Sequence, residues 1–419
     1  MRVQAAPALP EPPAWLPRAW PWARAIILLA AIAYLANAAW SQVDGILRFQ
    51  PLGIDFMPMW AAAHEAFVHP KRIYDFTGLT RFEHPLLAHF HGMRPFVYPP
   101  PALLLFAPFG QAPFVVANAV WTSVGLVALL AALATRLKAQ RVLILLAVVL
   151  SPASVLVLLT GQVTFLIAAL GVTGLLCLKD RPILAGVLFG LAGVIKPQAM
   201  ILLPVALIAL GQWRALAAAA AAAIAAAALS VLVFGLQAWT EWLAAVPVFE
   251  RMVMDSPSME RGMITPTALG VNIHLDPAAL IVWRLGFAVG AVAMVWRVFR
   301  GTEDPARRLT ALFGGGLFIT PYAMHYDAAL LAPAAALILT RRSQPGAWIM
   351  AMFAGALLCC AAIPHWGAAA VTAFVLLVAL TPQRASAGEP RPPQPVSQPE
   401  PEPGAAVQRQ RLREPADAR

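Results

Sequence analysis

The sequence predicts an all-α protein that crosses a membrane repeatedly, in about 11–13 membrane segments with a long loop after the first. Three observations carry this prediction. Of 419 residues, 60% are apolar and 12% are charged, roughly half the charged share of soluble domains. Mean hydropathy is +0.72. The apolar residues fall into long runs separated by short turns that carry arginine. A soluble globule of this size needs a more polar exterior, whereas twelve spans of about twenty residues consume roughly 240.

The elements follow in order from where the charges fall, because short cytoplasmic loops collect Arg and Lys. Residues 1–21 are rich in Pro and Ala and read as a disordered cytoplasmic tail. Arg18 and Arg24 precede the first span, 24–42. Ala36-Asn37-Ala38 resembles a signal cleavage site, but a Pro-rich start is a poor signal n-region, so an uncleaved span is the expectation. The loop 43–98 follows on the outer side, with short interfacial helices expected at 56–69 and 76–91. Segment 99–110 is too short and Pro-rich to span and reads as partly inserted. Span 112–135 returns to the inner cluster Arg136, Lys138, Arg141.

Spans 142–159 and 163–178 form a hairpin turning at Gly161-Gln162, with Lys179, Asp180 and Arg181 inside. Segments 182–195 and 199–211 form another, turning at Lys196-Pro197-Gln198. The Ala-dominated run 215–236 is followed by a second long outer loop, 237–277. Span 278–296 leads to Arg297, Arg300, Arg307 and Arg308 inside. Span 309–320 leads to the outer segment from Thr320 to Asp327, and the next span ends at Arg341-Arg342. Spans 346–361 and 367–380 turn at Pro364-His365-Trp366. The membrane domain thus covers 22–381. Residues 382–419 form a Pro-rich disordered cytoplasmic tail.

The net charge of +10 therefore reports orientation and does not indicate a nucleic-acid partner. Eleven of the twenty acidic residues, from Asp44 to Asp327, fall on the outer side. Cys177, Cys359 and Cys360 lie in apolar runs without CxxC or His spacing, so neither a disulfide framework nor a zinc site is indicated. The unusual polar residues gather on the outer face, which the positive-inside rule does not demand. That convergence marks a candidate active site.

Asp55, set among Ile54, Phe56 and Met57, is either a partly desolvated base or a helix N-cap. Arg94 suits a phosphate or a lipid headgroup. Tyr98, before three prolines, suits substrate contact or interfacial anchoring. Lys196 ends an apolar run against Pro197. A charge at a helix centre in the bilayer costs roughly 2.5–3.5 kcal/mol, so Lys196 is functional or snorkels to the interface. Gln162 sits in a compact outer turn and either offers its amide to a sugar hydroxyl or is a plain turn residue, and Gln198 lies in the outer turn after Lys196. His325 and Asp327 open the tenth span as a phosphate donor and a substrate contact, or as a polar span end. Arg284, within span 278–296, snorkels or meets a lipid phosphate. The histidines His64, His69, His84, His89 and His91 show no metal-binding spacing.

Taken in order, these clusters resemble glycosyltransferase family 87 of the membrane-embedded GT-C superfamily. The residues that carry the resemblance are Asp55-Phe56 with Ala62 and Ala63, Tyr74, Tyr98-Pro99-Pro100, Gly161-Gln162, Lys196-Pro197, and Thr320-Pro321 followed by His325. It covers roughly residues 50–335, and Tyr326-Asp327 follow in an arrangement that differs from many relatives. The resemblance implies a GT-C-like inverting transferase that moves a sugar, typically mannose, from a polyprenyl-phosphate donor to a lipid or glycan acceptor outside the cell membrane. Asp55 would be the general base, Lys196, Arg94 and His325 the donor-phosphate ligands, and Tyr98, Gln162, Gln198 and Asp327 the substrate contacts. The prenyl chain would lie in lipid, along the Ala-rich span. No metal ligand set or other cofactor is called for. A divalent ion at Asp55 and neighbouring acids stays open. The alternatives are a polytopic transporter or lipid flippase, which Lys196 and Pro-broken helices also suit, and a non-catalytic membrane scaffold.

Overall fold

The structure is a computed structural model that describes residues 52–86, 93–137, 141–260, 262–339, 354 and 366–381. The expected tails 1–21 and 382–419, the spans 24–42 and 346–361, residues 87–91 of the second loop helix, His89 and His91, the Arg341-Arg342 pair, and Cys359 and Cys360 lie outside them. Among the described residues the protein is helical, with one isolated bridge between Met263 and Met324.

The first loop holds α1 (Met57–Val68) and α2 (Phe76–Glu83), where interfacial helices are expected. Asp75 caps α2 by accepting from the Gly78 amide at 3.0 Å. α3 (Pro100–Phe106) has 7 residues, about 10 Å of rise, and does not cross a bilayer. α4 (Phe114–Ala134) is long and apolar enough to do so. The expected span 142–159 divides into α5 (Arg141–Val149) and α6 (Pro152–Thr160), because Pro152 lacks an amide hydrogen and Ser151 caps a new helix. α7 (Thr164–Cys177) and α8 (Pro182–Ile195) follow, each of 14 residues. Beyond the Lys196-Pro197 break lies α9 (Leu203–Ala209).

The element α10 (Trp213–Met254) runs for 42 residues but bends at Gly235, whose φ of 80° and ψ of 162° are not helical. The bend falls where the expected span ends, so the start of the second long loop, through Met254, is itself helix. α11 (Pro266–Asn272), α12 (Pro277–Gly301), α13 (Pro305–Ile319), α14 (Ala332–Leu339) and α15 (Gly367–Leu380) follow among the described residues.

Among the described residues three helices, α4, α10 and α12, are long and apolar enough to cross a membrane. Their outward rows are apolar: Val115, Leu232 and Val289 are 75%, 82% and 69% exposed. Water does not tolerate such rows over several turns, and lipid does. Inside, α8 lies against the first half of α10 through small residues. A Cβ at Gly190 would stand 2.5 Å from the Ala219 carbonyl oxygen, and Gly186 faces Ala215 in the same way. This is the small-xxx-small packing that lets helix backbones touch in a bilayer. An apolar groove of about 890 Å3 runs along α12, lined by Val282, Trp283, Phe287, Met294 and Phe318.

Candidate functional site

Two turns far apart in sequence are pressed together to make the site. The first contains Gly53 and Asp55. Their amides donate to the Leu159 and Thr160 carbonyls at 2.8 and 2.9 Å, so the turn docks on the end of α6. The second begins at Gly161, in the left-handed region at φ 75°. A Cβ there would meet the Phe56 Cβ at 2.6 Å, so only glycine permits this approach. The Trp121 indole fixes the second turn by donating to the Gly161 carbonyl at 3.0 Å.

The approach brings Gln162 to Asp55 across 107 residues: Gln162 Nε2 donates to Asp55 Oδ2 at 3.0 Å. Arg94 donates through a terminal guanidinium nitrogen to Oδ1, also at 3.0 Å. The Tyr98 hydroxyl donates to Gln162 Oε1 at 3.1 Å, and the Tyr74 hydroxyl donates to the Tyr98 carbonyl at 2.8 Å. Both oxygens of Asp55 are thus engaged. The N-cap position of α1 is Phe56, with no side-chain cap, so the capping role open to Asp55 in the sequence is not the one it takes here. Its side chain remains 20% exposed and accessible to a substrate.

A second cluster adjoins the first. Lys196 forms a buried ion pair with Asp327. Thr164 Oγ1 donates to the same Asp327 oxygen at 3.4 Å, and the Met324 amide donates to the other at 3.3 Å. The Lys196 ammonium lies 5.7 Å from the centre of the Tyr326 ring. Tyr98 and Tyr326 lie within electrostatic reach of both Asp55 and Asp327, so the clusters form one polar region. Lys196 enters it already neutralised by Asp327, where the sequence reading gave the two residues separate roles. Gln198 stays outside both hydrogen-bond networks; its backbone carbonyl packs on Gly316 of α13.

Charge states follow from burial. Desolvation presses the Arg94 guanidinium below its ordinary value, opposed by Asp55 and then Glu83. Desolvation pushes His325, in the turn after α13, down to about 4 against the pull of Asp327. At neutral pH His325 is therefore an uncharged hydrogen-bonding group.

Glu83, at the end of α2, is a residue that sequence reasoning missed. It is 0% exposed, and neither carboxylate oxygen has a hydrogen-bond partner. Burial pushes its carboxyl up to about 8, with the Arg94 charge acting in the opposite sense. A loop glutamate reads as solvated. The available signal was its spacing of four from Leu79, which puts both on the buried face of α2.

Among the described residues no three His, Cys, Asp or Glu side chains gather as ion ligands. The described hydrogen-bond neighbours of Asp55 are N–H donors, which do not coordinate a cation, so among the described residues its surroundings do not fit the divalent ion left open by the sequence; Asp44 lies outside them.

The sequence profile of glycosyltransferase family 87 matches residues 96–321, more than half of the 419 residues. The match contains Tyr98, Gln162, Lys196 and Gln198. It begins after Asp55 and Arg94 and ends before His325 and Asp327. Neither a curated protein nor a solved structure matches the chain.

Proposed function

The chain belongs to glycosyltransferase family 87, and on that premise we propose that it is a GT-C-like inverting enzyme of the cell membrane. In this reading it moves a sugar, mannose, from a polyprenyl-phosphate donor to an acceptor on the extracytoplasmic face. The observation that carries the proposal is the clamp on Asp55. Two side chains distant in sequence, Arg94 and Gln162, converge on a carboxylate that caps no helix, and Tyr98 holds Gln162 in turn.

Asp55 is the general base. It takes the proton of the acceptor hydroxyl while that oxygen bonds to the anomeric carbon on the face opposite the phosphate. The bond from the anomeric carbon to the phosphate oxygen breaks, and its electron pair leaves on the polyprenyl phosphate. A phosphate is a stable anion, so no second carboxyl has to protonate it, unlike the leaving group in most glycoside hydrolysis. Cations and N–H donors must instead balance its charge. Arg94, which holds Asp55 Oδ1, turns to the donor phosphate when the donor binds, which frees Oδ1 to act as base. Gln162, held by Tyr98, keeps Oδ2 in place. Lys196 supplies its remaining N–H groups from the Asp327 pair, and neutral His325 adds a hydrogen bond. Asp327 acts through Lys196, and Gln198, which stands outside both hydrogen-bond networks, has no part in this step. The prenyl chain remains in lipid, for which the Ala-rich half of α10 and the groove along α12 offer apolar surface.

The test is transfer of radiolabel by the purified chain in vesicles. Label should pass from polyprenyl-phosphate mannose and not from a nucleotide sugar; use of the nucleotide sugar alone would refute the donor assignment. The buried Lys196–Asp327 pair also suits a transporter. Sugar uptake by proteoliposomes without glycosyl product would favour that second reading.

A further inference from the structure

A cavity of about 410 Å3 lies between the start of α2 and the second half of α10. Tyr74, Asp75 and Phe76 form one wall, and Glu241, Ala245 and Val248 form the other.

Its chemistry is selective. Among the described residues no lining residue is cationic, and two are carboxylates, which repel a phosphate or an anionic headgroup. At the small end of ligand sites, which span about 300–1,000 Å3, it is short for a prenyl chain. Each carboxylate is held by one oxygen. Asp75 Oδ1 accepts from the Gly78 amide at 3.0 Å, and Glu241 Oε1 accepts from Gln237 Nε2 at 2.7 Å. Their other oxygens are left as acceptors for hydroxyl groups, while the Tyr74 and Phe76 rings offer flat apolar faces to the C–H side of a pyranose.

The cavity is also wired to the base. Tyr74 donates to the Tyr98 carbonyl, and Trp242, on the α10 side, donates to the Val97 carbonyl at 3.0 Å. Both walls therefore hold residues 97–98. From there the Tyr98 hydroxyl reaches Gln162, and Gln162 reaches Asp55. A ligand seated in the cavity would fix the segment that orients the catalytic carboxylate.

We propose that this cavity is a subsite for a non-reacting sugar of the acceptor, which makes the acceptor a glycan and not a bare lipid alcohol or a polypeptide. The inference rests on the transferase reading for the word acceptor; the site itself does not. Binding energy gained at a remote sugar orients the reacting hydroxyl.

The experiment uses the full chain in nanodiscs with octyl mannoside and octyl mannobioside as probes. Binding is followed by calorimetry without donor, and transfer is followed with polyprenyl-phosphate mannose. Phe76→Ala and the isosteric Glu241→Gln should each weaken mannobioside binding, and raise its KM, about tenfold, the loss expected for one stacking contact or one hydrogen bond to a charged group. The KM for octyl mannoside and the kcat for both should not change. Unchanged mannobioside binding in both variants, equal losses for both glycosides, or no binding by the unaltered chain would overturn the proposal. So would binding of pentalysine that Glu241→Gln abolishes, with no saccharide bound, because the cavity would then be a cation site. If the glycosides bind as expected but no chain transfers sugar, the transferase reading fails and the subsite stands. If transfer proceeds with KM values blind to both variants, the subsite fails and the reading stands.

Discussion

Replacing Glu83 with Gln should stabilise the protein, by an amount that depends on pH. The Glu83 carboxyl is fully buried and makes no hydrogen bond, and burial raises it from 4.5 to about 8. Between these values the unfolded chain releases the proton that the folded chain retains. The folded state then binds more protons, so stability falls as pH rises through this window. Each unit costs about 1.4 kcal/mol. The penalty is near zero below pH 4.5, on the order of 3 kcal/mol at pH 7, and levels off near 5 kcal/mol above pH 8. Gln has similar size and polarity but no proton to lose. Reversible denaturation in detergent micelles at several pH values between 4 and 9 gives the difference directly. It should be small at pH 4 and grow steadily to a plateau above pH 8. A difference that is flat with pH, or a Gln variant less stable throughout, would refute the assignment of Glu83 as a buried, protonated acid.

Further outcomes are expected elsewhere in the molecule. Gln162→Ala removes a hydrogen bond to a charged group, worth about 1.5–3 kcal/mol, so kcat should fall ten- to a hundredfold. Tyr98→Phe, one bond further from Asp55, should cost about tenfold or less, and a larger effect of Tyr98→Phe than of Gln162→Ala would break the proposed order of the chain. Lys196→Met should destabilise by about 3–5 kcal/mol because Asp327 is left buried and unpaired, and adding Asp327→Leu should restore most of that loss; equal melting of the single and double variants would contradict the pairing. Gly190→Leu should lower the melting temperature with helix content retained, since α8 cannot back away from Ala219 without losing its contacts.

Much of this architecture was legible because lipid makes sequence explicit. The expected 367–380 coincides with α15, and the expected 215–236 ends at the Gly235 bend. The break at Pro152 was legible in Ser151-Pro152, a cap residue followed by one without an amide hydrogen, but the unbroken apolar run around it outweighed that signal in the span reading. The site was legible residue by residue and not as a set of contacts. Asp55, Tyr98 and Gln162 stood out as polar residues at the ends of apolar runs. Their union depends on Gly53, Phe56 and Gly161 approaching across about a hundred residues, which no local pattern encodes. Lys196 and Asp327 were both visible, but a charge found in an apolar setting does not declare its partner. Glu83 was hidden because α2 belongs to a loop, where charge is ordinary.

The central claim is that Asp55 accepts the acceptor proton. It is tested most directly by single-turnover transfer from radiolabelled polyprenyl-phosphate mannose, comparing the unaltered chain with Asp55→Asn in the same membranes. The amide keeps the size and one acceptor oxygen but takes no proton. Donor should still bind, and transfer should fall by at least a hundredfold, the lower range for loss of a general base. Transfer at the unaltered rate by a folded, inserted Asp55→Asn chain would contradict the account.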